Sequence, residues 1–202
     1  VLTQQLCNQY NRKWDNVDIV VCPPSIDIKS VYTVIDFDKT KIAVGAQNVH
    51  WEESGAFTGE ISIPMIKEAG CEFCIVGHSE RREMFNETDT SVNLKVKALI
   101  EADIAPIVCV GESLSMRDSG DYVGFIVAQV RAALAGLDEA DCVRCKERKC
   151  GNCDYDHCHV LADKVCDFFQ CFHFGFSFVI LKAVLLSSLI FQGISHDGIS
   201  SV

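Results

Sequence analysis

The sequence predicts an α/β protein with a parallel sheet, followed by a tail of different character after residue 141. Three observations support this: short runs that are apolar throughout, helix-period segments between them, and an abrupt change in composition. Of the 202 residues, 49% are hydrophobic and 23% are charged, as in ordinary globular proteins. The net charge of −10 argues against electrostatic binding of nucleic acid.

Four apolar runs are predicted to be buried strands. They cover residues 17–22, 41–46, 72–76 and 105–110. The first stops at Pro23 and Pro24, the third at Gly77 and the fourth at Gly111, which are residues that end strands.

Helical patterns separate these strands. They cover residues 25–35, 61–69, 88–101 and 121–134, and Leu2 and Leu6 suggest a further helix at the start. In 88–101 the apolar residues Val92, Val96 and Leu99 recur with a helical period. Strands and helices in alternation predict a parallel sheet covered on both faces.

Two architectures fit this pattern: an open doubly wound sheet and a closed eight-stranded barrel. No Gly-x-Gly-x-x-Gly follows a strand, so a dinucleotide-binding sheet has no support. In either fold the chemistry belongs just past the carboxyl ends of the strands. The sequence places Asn48, His78, Ser79, Glu80 and Glu112 there.

The cysteines of residues 1–141 favour a reducing, cytoplasmic setting. Most of these five cysteines lie inside apolar runs, where free Cys behaves as a small hydrophobic residue. Cys109 is accordingly predicted to be a packing residue and not a nucleophile. No signal peptide is visible, and a start at Val1 indicates that the beginning is processed or missing.

Three segments carry a resemblance to a known family. GAQNVHWEESGAFTGEIS (45–62), CIVGHSERREMFNETD (74–89) and PIVCVGESL (106–114) closely resemble triosephosphate isomerase of the bacterial type. The similarity runs without a large gap from about residue 1 to about residue 141. It implies a (β/α)8 barrel of about 250 residues, which is present here only in part.

The resemblance identifies the four predicted strands as the second to the fifth of that barrel. The first strand would precede Val1, and the sixth to eighth should begin just after Leu137. The sequence instead changes character at Asp141 and Cys142. We therefore divide the chain into a partial barrel, 1–141, and a non-homologous tail, 142–202, that is not expected to be an independent domain.

The resemblance also implies the chemistry: interconversion of dihydroxyacetone phosphate and glyceraldehyde 3-phosphate in glycolysis and gluconeogenesis, by a homodimer without a cofactor. His78 matches the family's electrophile, and a neutral imidazole in this role is a known feature of the family. Glu80 matches a carboxylate that helps proton movement, although a Glu in a first helical turn also favours the helix dipole. Thr58 matches the tip of the loop that braces the partner subunit's active site.

The neighbours of His78 have simpler interpretations. Arg81, Arg82 and Glu83 are predicted to form structural ion pairs. Ser79 is predicted either to cap the following helix or to contact the substrate. Gln47 and Asn48 are predicted to form hydrogen bonds near the barrel mouth.

Other parts of the family's active site have no counterpart in the sequence. The catalytic base is a Glu in a YEPVWAIGTG-like segment after the sixth strand, and residues 142–202 contain no such segment. No ligand for the substrate phosphate is identified either. The sequence therefore predicts that this chain is inactive, because losing a general base alone costs about 10²–10⁴-fold in rate.

The tail allows several interpretations. It holds two Cys-x2-Cys pairs, and His157, Cys158 and His159 follow them, but only four residues separate the pairs instead of the roughly 12–20 usual for zinc. Residues 168–191 are apolar and long enough to span a bilayer, although Lys182 lies among them. A translated intron or a reading-frame shift is the simplest explanation. The alternative function is a non-catalytic remnant or aberrant product whose tail associates with a membrane or a metal.

Overall fold

The computed structural model describes residues 1–10, 18–138 and 141, and the backbone of residues 179–182. The helices are α1 Leu2–Gln9, α2 Ile28–Phe37, α3 Ile63–Ala69, α4 Ser79–Met84, α5 Asp89–Glu101, α6 Leu114–Ser119 and α7 Tyr122–Ala133, and a 3-10 turn at Ser25–Asp27 precedes α2. The strands are β1 Val20–Val21, β2 Ala43–Ala46, β3 Phe73–Val76, β4 Ala105–Val110 and β5 Val179–Lys182.

The strands form one sheet in the order β1-β2-β3-β4-β5. The first four are parallel, with Val20 opposite Ala43, Gly45 opposite Phe73, and Cys74 opposite Pro106. The succession of parallel neighbours with helical connections is the local pattern of a (β/α) barrel. This confirms the predicted parallel α/β class and the partial barrel.

The strands are apolar throughout because the sheet has two apolar faces. Val76 and Val108 pack with Val92, Val96 and Leu99 of α5 in the larger core, where helices cover the sheet. The neighbouring strand residues Phe73, Ala105 and Ile107 form a second buried cluster. Alternate residues of one strand thus enter different clusters, as the pleat of a strand requires.

Most predicted elements are found with small shifts at their ends. The strand 105–110 has the predicted bounds, and α5 begins one residue late because Thr88 is its cap. The first predicted strand is shorter, Val20–Val21, and its residue 17 lies outside the described residues. The short helix α6 was not predicted, because six residues are too few to show a helical period. Helix α4 was expected only as the helix that follows Ser79, without bounds.

The edge of β4 differs from the expectation. The sequence predicts two open sheet edges, but β5 from the apolar stretch 168–191 pairs with β4 in antiparallel orientation, with Val108 opposite Leu181. An antiparallel strand is foreign to an all-parallel barrel. The four described residues of this stretch form a strand, and the remainder of 168–191, like the cysteine-rich segment before it, lies outside the described residues.

The other edge leads to a prediction about the solution state. Among the described residues, no strand pairs with the outer side of β1, and an unpaired edge presents backbone donors and acceptors to other chains. We expect the full chain to self-associate, with light scattering after size exclusion giving a mass above 22.4 kDa that rises with concentration. A monodisperse monomer with one cooperative thermal transition would show that the edge is protected.

Candidate active site

Polar residues follow the carboxyl ends of neighbouring strands. Asn48 comes two residues after β2, His78 two residues after β3, and Glu112 two residues after β4. Because these strands are parallel, their carboxyl ends lie at the same edge of the sheet. Gln47 extends this edge to β1, since its Nε2 donates to the Cys22 carbonyl at 2.9 Å.

His78 lies where β3 passes into α4, and it is the N-cap of that helix. The Glu80 backbone N–H donates to His78 Nδ1 at 3.4 Å. The prediction that Ser79 caps the helix is wrong, because Ser79 is already the first helical residue. An Nδ1 that accepts this bond carries no proton, so the proton of the neutral imidazole is on Nε2. The His78 side chain is 37% exposed, enough for contact with a small molecule.

Glu80 lies beside this imidazole and is mostly exposed. Its Oε2 is 3.6 Å from His78 Nδ1, and its side chain is 69% exposed. An ion pair between them needs a protonated Nδ1, which would end the bond from the Glu80 N–H. The two predicted catalytic residues, His78 and Glu80, thus lie next to each other. Glu80 also lies in the first turn of α4, where a carboxylate interacts favourably with the helix dipole.

Gly77 allows the chain to turn from β3 to His78. Its φ is +73°, a left-handed conformation that favours glycine. A Cβ on this residue would lie 2.9 Å from the Cys109 carbonyl oxygen and 3.0 Å from Arg82 Nη2. A side chain at position 77 would thus displace either the neighbouring strand or Arg82.

A buried ion pair lies next to the strand ends. Lys95 of α5 contacts Glu87 Oε1, and its Nζ also donates to Asn48 Oδ1 at 2.8 Å. The side chains of Lys95 and Glu87 are only 5% and 2% exposed. The sequence analysis missed both residues. The available signal was the position of Lys95, three residues after Val92 and four before Leu99, on the apolar stripe of α5.

The predicted ion pairs of the GHSERR segment are present in part. Arg81 Nε lies 3.6 Å from Glu87 Oε2, and Arg82 Nη1 lies 2.6 Å from Asp89 Oδ1. Within the described part of the chain, Glu83 takes part in no ion pair, and it is exposed. Both arginines thus connect α4 to the segment that begins α5.

Glu112 is held in place by its own neighbours. Arg117 Nε donates to Glu112 Oε1 at 2.7 Å, and the guanidinium carbon lies 4.9 Å from the centre of the Tyr122 ring. The buried Gln129 accepts the Gly111 N–H at 2.8 Å. The Glu112 side chain is only 5% exposed, and the Arg117 guanidinium neutralises its charge.

Thr58 lies in a projecting loop. Residues 52–60 are all exposed, and aromatic rings support the base of the loop. The His50 ring centre lies 4.3 Å from that of Trp51 and 4.2 Å from that of Phe57. Thr58 is therefore exposed to solvent in this loop.

The described cysteines are not activated thiols. Burial raises the pKa of Cys22, Cys71 and Cys109 to about 11, and it raises the pKa of Cys74 further. A thiol in this state is protonated at neutral pH and is a poor nucleophile, which agrees with the packing role predicted for Cys109. Among the described residues, no group of three or more His, Cys, Asp or Glu is placed to hold a metal ion, and no helix is long and apolar enough to cross a membrane.

The strands, helices and polar strand ends define a barrel-type α/β protein with its polar residues at the carboxyl edge of the sheet. Comparisons with known proteins give the same class of fold. A family model described as triosephosphate isomerase matches residues 1–145. The triosephosphate isomerase of Corynebacterium glutamicum is 48% identical over 128 residues, covering 63% of this chain and 49% of that protein. That of Caldanaerobacter subterraneus is 50% identical over 124 residues, covering 61% and 49%.

A solved structure gives the same result. The triosephosphate isomerase of Bartonella henselae superposes with a TM-score of 0.56 at 34% identity, covering 59% of this chain and 50% of that one. The chain belongs to the triosephosphate isomerase family. It spans about half the length of the curated relatives it matches.

Proposed function

We propose that residues 1–141 carry the electrophilic part of a triosephosphate isomerase active site. The reaction is the interconversion of dihydroxyacetone phosphate and glyceraldehyde 3-phosphate, without a cofactor, in the glycolysis and gluconeogenesis of the cytoplasm. The observation that carries the proposal is the His78 imidazole, which caps α4 at the carboxyl end of β3 with Nδ1 turned toward the Glu80 N–H.

This geometry suits the chemistry of an enediolate. Removing a proton from the carbon beside a carbonyl places negative charge on the carbonyl oxygen, and a donor fixed in advance stabilises that charge. With Nδ1 accepting from the helix, the imidazole proton is on Nε2, and this N–H is the group that we propose donates to the substrate oxygen. One such donor contributes about 10²–10³-fold in rate.

Glu80 and Thr58 take supporting roles in this proposal. Glu80 lies close enough to His78 to pass a proton to or from the substrate by way of the imidazole or of a water molecule. Its side chain is mostly exposed and can change its position. Thr58 at the projecting loop braces the site of a second subunit, so that the functional form is a homodimer.

We also propose that this chain by itself does not turn over substrate. Its 202 residues contain no YEPVW-like segment with a glutamate that would act as the base. The family match ends at residue 145, four residues into the tail. That absence also favours the alternative, a non-catalytic remnant whose tail serves another association.

A chimeric protein tests the proposed role of His78. The matched half of the Corynebacterium glutamicum relative is replaced by the corresponding residues of this chain, and isomerase activity is measured in a coupled assay. We expect the chimera to be active. We expect His78→Gln to lower its kcat about 10²–10³-fold, because the glutamine amide N–H does not occupy the position of the imidazole Nε2–H.

Arg131→Gln is the control, since Arg131 is exposed on α7 and takes no part in the contacts described above; we expect it to leave kcat within a few-fold. An active chimera whose kcat is unchanged by His78→Gln would remove His78 from the mechanism. A folded chimera without activity would show that this half no longer carries a working site.

A further inference from the structure

We infer that Arg82 is a positioning residue that fixes the orientation of His78. The importance of this orientation for catalysis rests on the proposed function, but the positioning itself is a property of this chain. Arg82 lies four residues after His78, on the helix that His78 caps.

Arg82 binds the two peptide units on either side of the His78 Cα. Arg82 Nε donates to the Gly77 carbonyl at 2.8 Å, and the Arg82 backbone N–H donates to the His78 carbonyl at 3.0 Å. One residue therefore holds both peptide units, so a change of either His78 backbone dihedral would break a hydrogen bond to Arg82.

The guanidinium is itself held in place. Its Nη1 donates to Asp89 Oδ1 at 2.6 Å, and Asp89 is the first residue of α5. The Arg82 side chain is 17% exposed, so solvent competes little for these bonds. Arg82 thus fixes His78 relative to α5, which packs on β3 and β4.

Only an arginine fits this arrangement. The planar guanidinium sends Nε to a carbonyl and Nη1 to a carboxylate at the same time, whereas a lysine ammonium is a single point on a flexible stem. Gly77 adds the required space, because a Cβ at this position would lie only 3.0 Å from Arg82 Nη2. A structural ion pair would need only the contact with Asp89; the bond to the Gly77 carbonyl is what connects Arg82 to the backbone from which the imidazole projects.

The test measures the freedom of the imidazole without reference to catalysis. The full chain is treated with diethylpyrocarbonate, which modifies unprotonated imidazole nitrogens, and the rates at His78 and His50 are read by peptide mass spectrometry. We expect Arg82→Gln to raise the ratio of the His78 rate to the His50 rate by about two- to tenfold, the factor for losing one hydrogen bond.

Arg82→Lys is expected to raise the ratio by a similar factor. Lysine keeps the positive charge but lacks the planar guanidinium that donates to a carbonyl and a carboxylate at the same time. Asp89→Asn, a milder change, should give a smaller rise in the same direction. Arg131→Gln removes an exposed arginine of α7 and should leave the ratio unchanged.

An unchanged ratio in the Arg82 variants would overturn the inference and leave Arg82 a structural residue only. So would an equal rise at His50 and His78, because that indicates general loosening of the fold. Neither result depends on whether the chimera described above is active, so failure of the proposed function is distinguished from failure of this inference.

Discussion

The purified 202-residue chain is expected to convert triose phosphate at least about 10³-fold more slowly than its complete curated relatives. The loss of a general base alone lowers a rate by about 10²–10⁴-fold, which includes this value. The reaction needs both an electrophile and a base placed against the same substrate. His78 supplies only the first. Of the carboxylates at the carboxyl edge, Glu112 is paired with Arg117, and Glu80 is proposed to assist His78 and not to act as the base.

The measurement is a coupled assay in both directions, at substrate concentrations well above those that saturate the relatives. The chimera serves as the positive control, because it adds the other half of the family's sequence to the same residues. A turnover by the chain alone within a thousandfold of a complete relative would show that a residue we have not identified acts as the base.

Most of the fold could be predicted from the sequence because its strands are buried on both faces. The stretch Ala105–Val110 is apolar at every position and buried at every position, so its pattern and its bounds are unambiguous. The stretch 17–22 has a similar composition, but β1 is short. It lies at the edge of the sheet, where pairing on one side alone sets its length.

The candidate site could be predicted where it depends on the strand ends. The residues just after β2, β3 and β4 are fixed by the alternation of strand and helix, and this is how Asn48 and His78 were found. The capping residue of α4 could not be predicted in this way. Ser79 and His78 are adjacent, and only the backbone dihedrals show which of them begins the helix.

The buried pair Lys95 and Glu87 was missed for a different reason. A charged residue on an apolar stripe indicates burial only when its partner is known, and the partner lies eight residues away on another segment. The third member, Asn48, is 47 residues distant and comes from the end of β2. Contacts of this range follow from tertiary structure and leave no periodic trace in the sequence.

This pair gives the second large effect that we expect. Removing one member leaves the other charge buried without its main partner, which costs about 3–5 kcal/mol. Lys95→Met leaves the Glu87 carboxylate with Arg81 alone, at 3.6 Å. Glu87→Gln leaves the Lys95 ammonium with the neutral Asn48 and is expected to destabilise the chain by a similar amount.

The double variant, with both substitutions, separates the pair's attraction from the penalty of an unpaired charge. Because two neutral side chains of similar volume need no charge partner, we expect it to be more stable than the sum of the single changes indicates. Lys39→Met is the matched control, since Lys39 and Asp36 form an exposed pair, 73% and 57% exposed, worth about 0–1 kcal/mol. Urea denaturation followed by circular dichroism, at one protein concentration for all variants, measures each free energy of unfolding. If Lys95→Met cost no more than Lys39→Met, the contact of Lys95 with Glu87 would not contribute to the stability of the sheet edge, and the positions of Asn48 and His78 would depend on the strands alone.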